Sequence, residues 1–256
     1  MSKSIVLITG GNSGLGLDAV LQLAATGKYH VIIGSRSLSN AEAAIEEIAK
    51  DESLKFDRAD VEAVQIDVTS DESIAAAAKT IEEKHGYLDI LMLNAGVAYQ
   101  QEATTDGSTP PLRELYKSHF DTNLFGAVVA VDTFLPILRK SKGPVGKRIA
   151  FTSSGLASLQ WGQDGGPNGV YHADRWIIYR STKTAMSMVV QHYAAVLEKE
   201  GFVVSSSDPG YCATKINNYN GYKSARDGAK ELVKAAIGPK EEIHGRTIGE
   251  YGVMPW

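Results

Sequence analysis

Short apolar runs recur along this chain, each followed by a segment of helical period, and that alternation is the strongest constraint on what it can fold into. The runs are Ile5-Val6-Leu7-Ile8, Val31-Ile32-Ile33 and the stretches 63–66, 88–93, 148–151 and 202–204. Residues apolar at consecutive positions, not at every second one, form strands covered on both faces. Helical periods occupy 41–50, 74–84, 112–138 and the stretch from Tyr179 toward Leu197. Such alternation predicts the α/β class, with helices on both sides of a doubly wound parallel sheet. Apolar segments are spread evenly over all 256 residues with no linker between them, so 1–256 reads as a single domain.

Charge and cysteine content narrow the function classes. A net charge of −4 argues against the basic face that nucleic-acid binding requires. The densest basic run, Arg139, Lys140, Lys142, Lys147 and Arg148, is interrupted by Gly143, Pro144 and Gly146, as a solvated loop would be. Cys212 is the only cysteine, which rules out an intrachain disulfide. The apolar start gives way to Thr9 and Gly10 too soon for a leader, and no later run reads as long enough to span a membrane. A soluble, cytoplasmic protein without nucleic-acid or membrane partners is expected.

Open parallel sheets bind ligands at the carboxyl ends of their strands, so the residues just past each run carry the functional information. After the first comes Thr9-Gly10-Gly11-Asn12-Ser13-Gly14-Leu15-Gly16. Gly10, Gly14 and Gly16, with Asn12, Ser13 and Leu15 between them, would let the backbone turn tightly and approach a pyrophosphate at a helix N-terminus. A glycine-rich turn with no nucleotide is the plain alternative; with one, the sheet is Rossmann-type. The second run ends in Gly34-Ser35-Arg36-Ser37, without the carboxylate that would hold the free ribose hydroxyls of NAD. Ser35 and Arg36 suit a 2′-phosphate and hence NADP(H), unless Arg36 is simply a surface residue. Asp67, followed by Val68, is placed for an adenine amino group, and Asn94-Ala95-Gly96 for close backbone approach to a ribose, although turn chemistry alone would explain either. Later strand ends carry Thr152-Ser153-Ser154 and Asp208-Pro209-Gly210. Asn123 stands in an otherwise apolar helix, where an amide needs a partner. No metal ligands are expected.

Tyr179-Arg180-Ser181-Thr182-Lys183 opens a helical pattern, and four residues of helix bring Tyr179 and Lys183 onto one face. A phenol with a pKa of about 10 is a poor proton carrier at neutral pH, but a neighbouring ammonium favours the phenolate. The pair is therefore a candidate general acid/base. Tyr211 with Lys215 and Tyr219 with Lys223 share the spacing, and an ordinary core tyrosine is the plain alternative. Only Tyr179 opens an amphipathic helix.

Taken in order, T-G-G-N-S-G-L-G from Thr9, N-A-G from Asn94, Asn123, Ser154, Y-R-S-T-K from Tyr179, and Pro209-Gly210 followed by Thr214 resemble the motifs of the classical short-chain dehydrogenase/reductase family. The resemblance runs over essentially the whole chain, and its narrower form is to carbonyl or keto reductases, including those of fungal biosynthetic pathways. It implies a cofactor loop at Gly10 to Gly16, a catalytic set of Asn123, Ser154, Tyr179 and Lys183, and Pro209, Gly210 and Thr214 beside the nicotinamide. In that family Ser154 would hold the substrate carbonyl oxygen and Tyr179 would protonate the developing alkoxide. Lys183 would lower the Tyr179 pKa and bind the ribose, with Asn123 holding a water behind it. The implied activity is NADPH-dependent reduction of a ketone or aldehyde. Its rivals are alcohol oxidation through the same site and an NADP-sensing regulator without chemistry, which should have lost part of the Asn/Ser/Tyr/Lys set.

One departure from the family pattern is an insertion around 159–178 that separates Ser154 from Tyr179 by more than the usual spacing. It creates a rival set of Ser158, Tyr171 and Arg175, set aside because Tyr171 opens no helix and arginine is bulkier than lysine. Its glycines predict irregular structure. Its aromatics Trp161, Tyr171 and Trp176, facing Tyr219 and Tyr222, would line a site for a bulky cyclic or aromatic ketone, unless they only pack the insertion against the body or a second subunit of a homo-oligomer.

Overall fold

The computed structural model describes residues 3–51, 53–98 and 110–256. β1 (Ser4–Thr9) is buried at all six positions. Its side chains alternate between two apolar clusters, Ile5 and Leu7 joining one and Val6 and Ile8 the other, as strand geometry requires. β2 (Tyr29–Ser35), β3 (Val61–Gln65), β4 (Ile90–Leu93), β5 (Arg148–Thr152), β6 (Val203–Asp208), β7 (Thr247–Gly249) and β8 (Gly252–Val253) complete the sheet. The strand order is β3-β2-β1-β4-β5-β6-β7-β8, parallel throughout except for the antiparallel pair β7 and β8.

The helices are α1 (Gly14–Ala24), α2 (Leu38–Ile48), α3 (Asp71–His85), α4 (Leu112–Phe120), α5 (Gly126–Arg139), α6 (Leu159–Asp164), α7 (Ile177–Leu197), α8 (Ala225–Ile237) and α9 (Lys240–Ile243). Leu21 of α1, Ile45 of α2 and Leu232 of α8 cover one face of the sheet. Ile74 of α3, Phe134 of α5 and Val190 of α7 cover the other. This is the doubly wound, Rossmann-type α/β sheet expected. The chain runs outward from β1 to β2 and β3 and then crosses back to place β4 on the other side of β1, opening a crevice at the carboxyl ends of β1 and β4 where ligands of such sheets bind.

Three local features differ from expectation. The helix expected over 112–138 is interrupted by a π-helical turn at Asp121–Phe125. The added residue per turn re-aims side chains, and Asn123 within it is fully buried. This helical rod, Leu112–Arg139, is also long and apolar enough to cross a membrane, with a mean hydropathy of 1.3 in its most apolar window, contrary to the reading that no run was long enough. Its apolar side is occupied, since Ala130, Val131, Phe134 and Leu138 sit in the core against the sheet. The insertion is more regular than its glycines suggested: Ser158 Oγ caps α6 by accepting from Trp161 N at 3.1 Å, and Gly165 ends it in the left-handed conformation at φ 87°.

Candidate active site

The first turn of α1 is built to receive an anion. Gly10 (φ 64°) and Gly14 (φ 53°) take left-handed backbone conformations, and a Cβ on Gly16 would collide with Gly10 O and the Asn94 side chain. Ser13 at the helix start is exposed and its side chain caps nothing, so the first N–H groups of α1 stay open; Asn12 and Leu15 are half-buried beside it. Asn94 holds the loop in shape, donating from Nδ2 to Thr9 O at 3.0 Å and Gly10 O at 3.2 Å. The N–H groups of Asn94 and Ala95 reach Thr9 Oγ1 at 3.0 and 3.1 Å. Across the loop Thr214 is buried, and its methyl would lie 3.5 Å from a Cβ on Gly14. A dinucleotide pyrophosphate fits this cradle of open N–H groups and absent side chains.

The second and third strand ends supply the neighbouring region. Ser35 is buried and its Oγ accepts from Ser37 N at 3.3 Å, while Arg36 is exposed. Asp67 Oδ1 accepts from Thr69 N at 2.9 Å and Thr69 Oγ1 at 2.7 Å. Burial alone would raise the Asp67 carboxyl, but those bonds and the charge of Arg36 hold it below the usual range. Val68 packs its carbonyl so closely on Gly126 that a Cβ there would overlap it.

The candidate reactive groups meet at the ends of β4, β5 and β6. Ser154 ends the chain's exit from β5, where its Oγ accepts from Leu156 N at 3.2 Å and lies close enough to the Tyr179 hydroxyl to favour its ionised form. Ser153 is 1% exposed and its Oγ has no partner among the described residues, so the strand alternation points it away from Tyr179. Lys183, one turn along α7 from Tyr179, is 3% exposed. Its Nζ donates to Thr152 O at 2.7 Å and lies 5.6 Å from the centre of the Tyr179 ring. Asn123 accepts from Val97 N at 2.7 Å and donates from Nδ2 to Val97 O at 2.9 Å and Thr182 Oγ1 at 3.1 Å. A Cβ on Gly96 would stand 3.3 Å from Asn123 Oδ1 and 3.8 Å from Lys183 Nζ, so only glycine leaves this junction open.

The electrostatics differ from the simple expectation that Lys183 lowers the Tyr179 pKa. Burial, reinforced by the Asp208 carboxylate, pushes the Tyr179 phenol up, against an opposing hydrogen bond from Ser154. Burial also pushes the Lys183 ammonium down, to about 8. Tyr179 is thus a firmly protonated acid at neutral pH, and Lys183 is charged but only just.

Two groups had no assigned role in the sequence. Asp208, 3% exposed, accepts from Gly210 N at 3.0 Å through Oδ1, and its other oxygen approaches Gly155. It thereby ties the Pro209-Gly210 turn, whose Gly210 has φ 77°, to the loop carrying Ser154. Burial pushes its carboxyl up against the hydrogen bonds of Gly210 and Gly155. Arg180, between Tyr179 and Lys183, is 5% exposed and donates to the carbonyls of Arg175, Leu156, Tyr171 and His172 at 2.9, 3.3, 2.7 and 2.7 Å. It clamps the insertion to α7. Neither was visible beforehand, because the contacts that matter, Asp208 with Gly155 and Arg180 with Leu156, join segments distant in sequence.

The rival set is dispersed. Ser158 is a buried helix cap, Arg175 is exposed and paired with Asp174, and Tyr171 is buried with its ring 4.8 Å from Trp161. Trp161 and Tyr171 form a small apolar cluster with Met254, so these two aromatics pack the insertion onto the body. Trp176, half-buried in a left-handed conformation (φ 66°), and the exposed Tyr219 and Tyr222 do not join it.

A doubly wound sheet with a glycine cradle at β1 and a Ser/Tyr/Lys cluster across the crevice has the layout of a nicotinamide-dependent oxidoreductase acting on carbonyl and alcohol groups. The short chain dehydrogenase family matches residues 4–224, and the chain belongs to that family. Among its relatives, the short-chain dehydrogenase anuI of Penicillium roqueforti is 39% identical over 257 residues, covering 99% of this chain and 97% of that protein. The short-chain dehydrogenase/reductase tropE of Talaromyces stipitatus is 32% identical, covering 92% and 87%. The fold matches the NADPH-bound carbonyl reductase from chicken fatty liver with a TM-score of 0.80 at 22% identity, over 100% of both chains.

Proposed function

We propose that this protein is an NADPH-dependent reductase of ketones or aldehydes in which Tyr179 is the proton donor. The observation that carries the reading is the meeting of three side chains, Ser154 beside the Tyr179 hydroxyl and Lys183 one turn along α7 with its Nζ 5.6 Å from the centre of the Tyr179 ring. Bound nicotinamide supplies the hydride in such chemistry. Ser154 orients and polarises the carbonyl oxygen, and Tyr179 hands its proton to the alkoxide that develops there. The Lys183 ammonium steadies the phenolate left on Tyr179, and Asn123 holds the segment at Val97 against α7. Gly10, Gly14 and Gly16, with Thr214 and the Pro209-Gly210 turn, would hold the dinucleotide. A carbonyl panel from small aldehydes to fused aromatic ketones, followed by loss of NADPH absorbance, tests the reading. Turnover of none of them, with alcohols oxidised instead, would refute it.

Cofactor choice rests on Arg36, exposed at the end of β2 with no carboxylate between Asp18 and Glu42. A charge-assisted pair with the 2′-phosphate is lost in Arg36→Ala. The Kd for NADPH should rise by about ten- to a hundredfold, with NADH affinity little changed. Equal effects on both cofactors in a fluorescence titration would show that Arg36 does not read the phosphate.

For substrate we favour a bulky cyclic or aromatic ketone, contacted by Trp176, Tyr219 and Tyr222. Trp176→Ala and Tyr219→Ala should then lower kcat/KM for fused aromatic ketones by about tenfold or more while sparing small aldehydes. Trp161→Ala should behave differently. Its buried ring makes the loss one of stability, about 3–5 kcal/mol, read as a fall in Tm.

A further inference from the structure

The amino end of the sheet, opposite the crevice, brings together three side chains that the reaction does not use. His30 lies near the start of β2 and Glu62 near the start of β3, where Glu62 is paired with Ile32, two residues on from His30. Residues two apart on a strand share a face, so both side chains project from the face that α3 covers. His85 is the last residue of α3, fixed by the left-handed Gly86 cap, whose N–H reaches Glu82 O at 2.8 Å. Glu62 Oε1 lies 2.6 Å from His85 Nε2 and 3.4 Å from His30 Nε2. All three atoms fall within 4.8 Å of one another.

Their polar needs are unequally met. Lys84 pairs with the other carboxylate oxygen, Oε2, and so fixes the plane of the carboxylate with Oε1 turned toward both imidazoles. Burial would raise the Glu62 carboxyl, but the neighbouring His30 imidazole, followed by Lys84 and His85, outweighs it and holds the group ionised, at about 2. His30 Nε2 is buried and has no hydrogen-bond partner among the described residues; its 3.4 Å approach to Oε1 is outside hydrogen-bond geometry. One oxygen serving two ring nitrogens leaves one of them unsatisfied, at a cost that buried polar groups rarely carry without a reason. A cation would accept a lone pair from all three.

We propose that His30, Glu62 and His85 form a binding site for a divalent transition-metal ion of the Zn²⁺ type. Two imidazoles and one carboxylate are a ligand set suited to that ion. Ligand atoms in a tetrahedral zinc site stand about 3.3 Å apart, given metal–ligand bonds of about 2.0–2.1 Å. The His30 to Glu62 separation already matches, and a small rotation of His85 would open the shorter one. The carbonyl end of α3 adds favourable potential for a cation. Bound there, the ion would link edge strand β3 to β2 and to α3, far from the Tyr179 end of the sheet, and would act on stability and not on turnover.

The test is isothermal titration of the chelator-treated full chain with ZnCl₂, alongside thermal unfolding. We expect one equivalent bound, a rise in Tm on binding, and unchanged carbonyl reduction. His85→Asn and the near-isosteric Glu62→Gln should each weaken binding by at least about tenfold and abolish the Tm rise. Both variants leave β2 intact, and their own Tm without zinc reports whether they fold. Absence of saturable binding, or binding unaffected by both substitutions, would overturn the assignment.

Discussion

Tyr179→Phe should lower carbonyl turnover by about 10³-fold, the scale of a general acid removed from its transition state, while NADPH binding stays within about twofold. The ring and its packing survive the change, and only the hydroxyl beside Ser154 is lost. Tyr171→Phe supplies the contrast. Tyr171 is buried against Trp161 with its hydroxyl pushed well above the ordinary phenol range by burial and by Asp208, so it keeps its proton throughout any working pH. That variant should keep activity within a few-fold of the parent. Steady-state kinetics on both variants decide the matter, and the opposite pattern would move the proton donor into the insertion.

Lys183→Met should cost turnover by about 10²-fold or more, because the ammonium that steadies the phenolate is removed from a site where water cannot replace it. The parent enzyme should show the same dependence through pH. Lys183 carries its proton below about 8 and loses it as pH rises past that value, so the reductive rate should be flat at neutral pH and fall on the alkaline side. The Tyr179 proton is not the source of that limb, since burial raises the phenol above its ordinary value. In Lys183→Arg the charge persists to much higher pH. Residual activity there should lack the descending limb, and a limb unchanged in position would assign it to another group.

Much of the fold was legible because a parallel sheet covered on both faces demands consecutive apolar residues, and Ile5 to Ile8 or Val203 and Val204 supply them wherever they are placed. The glycine loop and the Tyr179/Lys183 spacing were equally local. Backbone conformation at Gly10 and helix periodicity at α7 depend on a few adjacent residues, so sequence alone placed them. β7 and β8, only three and two residues long, were not foreseen, because pairing with β6 and not composition makes them strands.

What tertiary structure decided was which residues meet. Ser154 faces Tyr179 while Ser153 turns inward only because β5 holds its register against β6, from Arg148 beside Val203 to Thr152 beside Ser207. The π-turn that buries Asn123 against Val97 and Thr182 cannot be read from a helical period. Asp208 raises Tyr179 from a strand end distant in sequence, and its effect exists only where water has been excluded. His30, Glu62 and His85 have no motif spacing at all; β2, β3 and α3 carry them to one point. Local residue pattern chose the elements and their chemistry, whereas desolvation and contact, which set the protonation of Tyr179 and Lys183, arise only once those elements pack.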